Sequence, residues 1–232
     1  MRGWIYDPPP VPSVAVSDTD DRYPVRRIFC VGRNYASHAE EMGVAVDREA
    51  PFYFTKSPHA VAASGQTLPY PPGTENFHYE MELVVALGQP VHRVDVSGAE
   101  AAIFGYGCGL DMTRRDLQLA AREKQRPWDL GKDVECSAVL AALTRAEKFE
   151  TPASQRICLE VNGELKQDAR LTDLVWSVPE LISHLSGYYH LGPGDLIMTG
   201  TPAGVGPVVA GDRIEGLIDG LESVTLVVGP LE

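Results

Sequence analysis

His78-Tyr79-Glu80-Met81-Glu82 runs directly into Leu83-Val84-Val85-Ala86-Leu87, and this stretch limits the fold more than any other. On an extended strand alternate residues share a side, so Glu80 and Glu82 project together while Met81 and Leu83 face the other way. The five apolar residues that follow show no polar alternation, the pattern of a strand covered on both faces. An ionised carboxylate without a partner is too costly to bury, and two side by side repel each other, so a cation is the natural third member. A divalent metal site is one reading. A solvent-facing Glu pair at a strand end is the other, and these residues alone leave it open.

The chain has 232 residues, 44% of them hydrophobic, which suits one large domain or two small ones with a full core. Its formal charge of -12 argues against nucleic acid and anionic membrane surfaces and for a small-molecule partner. No apolar run approaches the roughly 20 residues that span a bilayer. Met1-Arg2-Gly3-Trp4 leads into Asp7 and three prolines instead of a signal-peptide core, so a cytoplasmic protein is expected. Cys30, Cys108, Cys136 and Cys158 are widely spaced, with no C-x-x-C, and read as reduced core thiols.

Residues 1–24 hold two short strand candidates, Trp4-Ile5-Tyr6 and Val14-Ala15-Val16, on either side of a proline-rich run, and read as an appendage to a main unit over 25–232. Ile28-Phe29-Cys30-Val31 predicts a buried strand, and the segment from Gly32 to Gly43 one helix with a glycine cap. An aromatic strand is expected at Pro51 to Lys56, and a glycine-punctuated one at Ile103 to Leu110, where the glycines suggest close approach by backbone or ligand. A helix is predicted over Asp111 to Lys124 and a loop over Gln125 to Glu135. Asn162-Gly163 marks a hairpin. Ser177-Val178-Pro179-Glu180 opens a helix running to Tyr189, and further strands are expected at Leu196 to Thr199, around Ile214 and at Val224 to Val228. Many strands, about four short helices and long Gly/Pro loops make a β-rich α+β domain.

Asp111 stands where a glycine-rich strand gives way to helix, and it could complete an all-oxygen set with Glu80 and Glu82 or simply cap the helix. Three carboxylates without a Cys or His cluster favour Mg²⁺ or Mn²⁺ over zinc or copper. His38 and Glu41, three apart on a helix, could form a water-activating pair; a solvated pair is equally compatible with the spacing. Arg115 and Gln118 share a helix face suited to a carboxylate or carbonyl, or are an ordinary surface. Lys132 could place positive charge beside an enolate or lie exposed. Thr199-Gly200-Thr201-Pro202 resembles an anion-binding nest.

Taken in order, Val31-Gly32-Arg33-Asn34-Tyr35-Ala36-Ser37-His38, Phe54-Thr55-Lys56, Tyr79-Glu80-Met81-Glu82-Leu83, Gly109 to Gln118, Gly131-Lys132 and Thr199 to Gly206 resemble the fumarylacetoacetate hydrolase family. The Phe-Tyr-Phe-Thr-Lys run and Arg126 to Lys132 are most similar to its fumarylpyruvate-cleaving members in gentisate catabolism. The resemblance implies a mixed β-roll, a homodimer, and Mg²⁺ or Mn²⁺ held by Glu80, Glu82 and Asp111. It also implies His38 with Glu41 as the water-activating dyad, Lys132 as the enolate-stabilising lysine, and substrate contacts from Arg115, Gln118 and Thr201. Lys56 or Arg33 would hold a distal carboxylate, and the segment around 33–50 would close as a lid. The implied reaction is hydrolysis of the C3–C4 bond of a 2,4-dioxo acid, with fumarylpyruvate as the expected substrate. Related chemistry on the same platform, oxaloacetate decarboxylation or isomerisation and decarboxylation of a dienedioate, stays open, as does non-catalytic keto-acid binding. Val134-Glu135 and Ser137-Ala138-Val139-Leu140 depart from the family pattern, which puts the shape of the pocket wall in question.

Overall fold

The computed structural model describes residues 3–41, 43, 48–149 and 151–231. The first strands are β1 (Ser13–Ala15), β2 (Arg22–Pro24), β3 (Arg27–Gly32), β4 (Phe52–Lys56), β5 (Val61–Ala63) and β6 (Gln66–Tyr70). β7 (Phe77–Tyr79) and β8 (Met81–Leu87) flank Glu80, followed by β9 (Ile103–Asp111), β10 (Thr113–Arg114), β11 (Ala138–Leu140) and β12 (Thr144–Arg145). β13 (Arg156–Val161), β14 (Glu164–Arg170), β15 (Asp195–Met198), β16 (Gly206–Val208), β17 (Arg213–Ile218) and β18 (Val224–Leu231) complete the set. The α-helices are short: α1 (Ala36–Glu41), α2 (Val96–Ala99), α3 (Arg115–Glu123), α4 (Asp129–Lys132) and α5 (Val178–Ser186). Among the described residues, no helix is long and apolar enough to cross a membrane.

Every residue of β8 is buried, because the strand has apolar neighbours on both sides. Met81, Leu83, Val85 and Leu87 join one core cluster, and Val84 and Ala86 join a second on the opposite face. β8 lies inside the largest sheet, ordered β4-β3-β15-β8-β9-β11-β5, with β12 added beside β9. A second sheet, β14-β13-β17-β18-β6, covers the first cluster, and β7 joins β10 and β16 in a small third sheet. β3/β15, β5/β11 and β6/β18 pair in parallel and the other ladders antiparallel, so the architecture is the β-rich mixed roll that the resemblance implied. The Asn162-Gly163 hairpin forms, with φ of 54° and 78° at its two central residues. Cys30, Cys108 and Cys158 are buried, Cys136 is half-buried, and the four form no disulfide with one another.

Several elements depart from the sequence reading. Trp4-Ile5-Tyr6 is no strand; its side chains are exposed, and the prolines that follow lack the N–H groups a ladder needs. The carboxylate stretch is broken at Glu80, where the chain leaves the small sheet for the large one. The helix expected from Asp111 starts only at Arg115, since Thr113 and Arg114 pair with His78 and Phe77. Asp111 therefore ends a strand and caps no helix. The expected loop at 125–135 contains α4, and the helix after Ser177 stops at Ser186 instead of Tyr189.

Of the β9 glycines, Gly105 answers a close backbone approach, whereas a Cβ on Gly109 would meet the side chains of Val84 and Leu140. A Cβ on Gly105 would stand 2.3 Å from the Thr144 carbonyl oxygen on β12, and backbone there cannot move aside without breaking the pairing. Gly105→Ala is expected to lower stability by about 1–3 kcal/mol, read as a lower urea midpoint at unchanged slope; an unaltered midpoint would count against the close approach.

Candidate active site

The strand register brings the three carboxylates together. Glu82 on β8 lies opposite Gly109 on β9, and two residues further along β9 the Asp111 N–H donates to the Glu80 carbonyl at 2.9 Å. Glu82 and Asp111 thus share a sheet face, and the break at Glu80 turns its side chain toward them. Each offers an oxygen within 4.8 Å of the others, and all three are buried. The set is all carboxylate, hard and enclosed, and so fits Mg²⁺ or Mn²⁺.

Three buried cations answer the three carboxylates. Lys132 Nζ donates to Glu80 and Asp111, at 2.7 Å each, and to the Thr113 hydroxyl at 2.8 Å. Arg115 pairs with Glu80 and also donates to the Gln118 side-chain oxygen. Lys56 Nζ lies 2.8 Å from Asp111 Oδ1 and donates to Ser137 Oγ at 2.7 Å and to the Met112 and Lys132 carbonyls. Glu82 receives the Gly200 N–H at 2.8 Å. Burial tends to raise the Glu80 pKa, but Lys132 and Arg115 overcome it and hold the carboxyl below its ordinary range. Glu82 goes the other way: burial, then Asp111 and Glu80, push it well above that range. Burial works against the charge on Lys132, yet Asp111 and Glu80 raise its pKa. Glu82 is thus the carboxylate that protein cations leave least compensated, and a bound cation would relieve it.

His38, 8% exposed, faces the same cleft from α1. Its Nδ1 lies 3.1 Å from Glu41 Oε2, and Glu41 in turn receives the Gly204 N–H at 3.1 and 3.2 Å. The turn expected to act as a nest thus spends its Gly200 amide on the protein's own Glu82, and the Gly204 amide just beyond it goes to Glu41. The cleft encloses about 510 Å³, open solvent included, between Arg33, His38, Phe54, Glu80, Glu82, Arg115, Gln118, Leu119, Arg122, Trp128, Lys132 and Thr201.

One expectation changes here, and one open alternative closes. Lys56 does not reach the cleft: its ammonium is enclosed behind Asp111, so it cannot hold a distal carboxylate. Lys132 is buried, because Gly131 lets α4 press on α3; a Cβ there would stand 2.8 Å from the Gln118 backbone nitrogen. Residues 134–140 do not line the cleft; Ser137 and Val134 instead build the seat of Lys56. Of the expected lid over 33–50, residues 42 and 44–47 lie outside the described residues.

Other positioning residues carried no sequence signal of their own. Asn34 donates to the Thr199 and Trp176 carbonyls, at 2.8 and 3.1 Å, and ties the loop before α1 to the 199–204 turn. Gln167 donates to Thr201 Oγ1 at 2.8 Å and the Pro202 carbonyl at 2.7 Å, and accepts from the Met81 N–H at 3.0 Å. His78 accepts from Arg115 Nε at 3.4 Å and donates to Asn76 Oδ1 at 2.8 Å. Burial and then Arg115 lower its pKa to about 4, which keeps it neutral behind the guanidinium.

A family model described as fumarylacetoacetate (FAA) hydrolase C-terminal matches residues 27–228. A fumarylpyruvate hydrolase of Ralstonia sp is 53% identical over 193 residues, covering 82% of this chain and 100% of that protein. The mitochondrial oxaloacetate tautomerase FAHD1 of Homo sapiens is 41% identical over 203 residues, covering 88% and 91%. Among solved structures, a fumarylpyruvate hydrolase from Pseudomonas aeruginosa in complex with Mn²⁺ and pyruvate superimposes with a TM-score of 0.95 at 45% identity, covering 99% of this chain and 100% of that one.

Two outcomes follow from the charge arrangement. Lys56→Met strands the buried Asp111 charge and is expected to cost about 3–5 kcal/mol of stability in urea titration; a neutral substitution would show that Lys56 does not compensate Asp111. Without metal, folding favours protonated Glu82, so that contribution is full below the ordinary carboxylate range and is lost as pH rises through the raised pKa. A divalent ion needs the ionised form. The gain in melting temperature on adding Mn²⁺ should therefore grow as pH rises from the ordinary carboxylate range through the raised pKa of Glu82, and a pH-independent gain would contradict this account.

Proposed function

The chain belongs to the fumarylacetoacetate hydrolase family, and from that premise we propose that it hydrolyses the C3–C4 bond of an acylpyruvate, with fumarylpyruvate giving fumarate and pyruvate. The observation that carries the reading is the convergence on one cleft of His38 with its Glu41 partner, the Glu80/Glu82/Asp111 set and Lys132. The Ralstonia and Pseudomonas relatives, one of them bound to Mn²⁺ and pyruvate, support it over oxaloacetate chemistry, which the less similar human relative carries. The proton-handling dyad and the buried cationic Lys132 favour catalysis over mere keto-acid binding.

Glu80, Glu82 and Asp111 hold the divalent ion. When bound, it supplies Lewis-acid polarisation of the substrate's oxygens. Glu41 accepts a hydrogen bond from the Nδ1–H of His38, which leaves Nε2 free to take a proton from water. Water adds to the C4 carbonyl, the C3–C4 bond breaks, and the electron pair passes into a pyruvate enolate. Lys132 places its positive charge against that enolate more effectively than against the neutral ketone. Protonation at C3 completes pyruvate. Arg115, held by Glu80 and His78, and the Gln118 amide orient the near carboxylate, and Thr201, held by Gln167, lines the same wall. A catalytic unit over 25–232 with a short N-terminal appendage, homodimeric assembly and a cytoplasmic location belong to the same reading.

The test follows loss of the enol's ultraviolet absorbance with Mg²⁺ or with chelator, and identifies pyruvate and fumarate as products. His38→Ala is expected to retain metal binding and lose about 10²–10⁴-fold in kcat, whereas Glu82→Gln loses metal dependence and turnover together. Full turnover by His38→Ala would remove the dyad from the mechanism.

A further inference from the structure

Arg115 and Lys132 pair with Glu80 at the inner end of the cleft, and Lys56 pairs with Asp111 behind it. Two more guanidinium side chains, Arg33 and Arg122, also line it. We propose that Arg122 is a specificity-determining residue that receives a second carboxylate at the far end of the substrate, so that the protein selects acylpyruvates with an anionic tail. The proposal rests on the acylpyruvate reading above.

Helical spacing carries the argument. Arg115, Gln118, Leu119 and Arg122 stand at i, i+3, i+4 and i+7 of α3, and all four line the cleft. The face therefore runs from a guanidinium on Glu80, past an amide and a leucine, to a second guanidinium. At 1.5 Å per residue, Arg122 lies about 10 Å beyond Arg115 along the helix axis. A seven-carbon dioxo diacid, extended at about 1.2 Å per bond, places its carboxyl carbons about 7 Å apart. With the near carboxylate at the inner end, the far one falls within reach of a long side chain at 122. Leu119, Phe54 and Trp128 supply apolar wall for the unsaturated carbons between, the two rings in contact at 5.8 Å.

Charge gives the far group its reason. A carboxylate leaving water needs a cation with hydrogen-bond donors, and a guanidinium offers two in parallel. The chain's net charge of -12 repels a dianion, and arginine at the mouth offsets that locally. Arg33, the alternative, lies over the Phe52 ring at 5.5 Å on a loop with φ of 60°, off the helix face that carries Arg115 and Gln118.

The experiment compares fumarylpyruvate with acetylpyruvate, whose tail is uncharged, using the Mg²⁺-loaded full-length protein. The readout is the ratio of the two kcat/KM values within each sample, so loss of folded material cancels. In Arg122→Gln this ratio is expected to fall about 10- to 100-fold, with part of it recovered in Arg122→Lys. A ratio in Arg122→Gln within about twofold of wild type overturns the assignment. So does a collapse confined to Arg33→Gln, which moves the far carboxylate to Arg33. Wild-type protein that turns over neither substrate overturns the hydrolase reading, and this assignment with it.

Discussion

Glu80, Glu82 and Asp111 are withdrawn from water within 4.8 Å of one another, and the surrounding structure answers the repulsion between them. Carboxylates that crowd each other in a poorly hydrated site either take up protons or gather cations. Here both happen. Glu80 and Asp111 hold Lys132, Arg115 and Lys56, whereas Glu82 has one amide donor and a raised pKa. The same asymmetry that makes Glu82 costly without metal makes the set receptive to a divalent ion.

Much of the local architecture serves to deliver those cations. Lys56 reaches Asp111 from β4, Arg115 opens α3, and Lys132 closes α4, a turn able to lie on α3 because Gly131 has no side chain. The 199–204 turn works from the other side of the cleft. It donates one amide to Glu82 and another to Glu41, and so links the carboxylate set to the histidine dyad. Asn34 and Gln167 hold that turn in place. The His38–Glu41 pair and the carboxylate set are thus parts of one hydrogen-bonded unit, and a displaced turn would disturb both.

The site was legible where its logic is local. The Glu80/Glu82 pair marks the carboxylate set even though the strand breaks at Glu80, helical spacing pairs His38 with Glu41, and the ordered motifs from residue 31 to residue 206 point to the family. Lys56 misled because a lysine in sequence reads as a solvated charge, and nothing near it reveals that Asp111, 55 positions away, removes it from the cleft. Gln167 carries no motif or spacing signal. Only its burial against Thr201 and Pro202 gives it a task. Asp111 read as a possible helix cap because β10 depends on pairing with β7, a contact between segments 35 residues apart.

What the sequence determined by itself is the residue chemistry and its local phase: which carboxylates stand two apart, which histidine has a carboxylate one turn on, and which strand is apolar on both faces. These depend on backbone periods that need no distant partner. Tertiary structure alone decided which charges meet. The break at Glu80, the three lysine and arginine partners and the turn that joins Glu82 to Glu41 arise from strand register and from chain segments far apart in sequence, and electrostatic partnership follows distance in space.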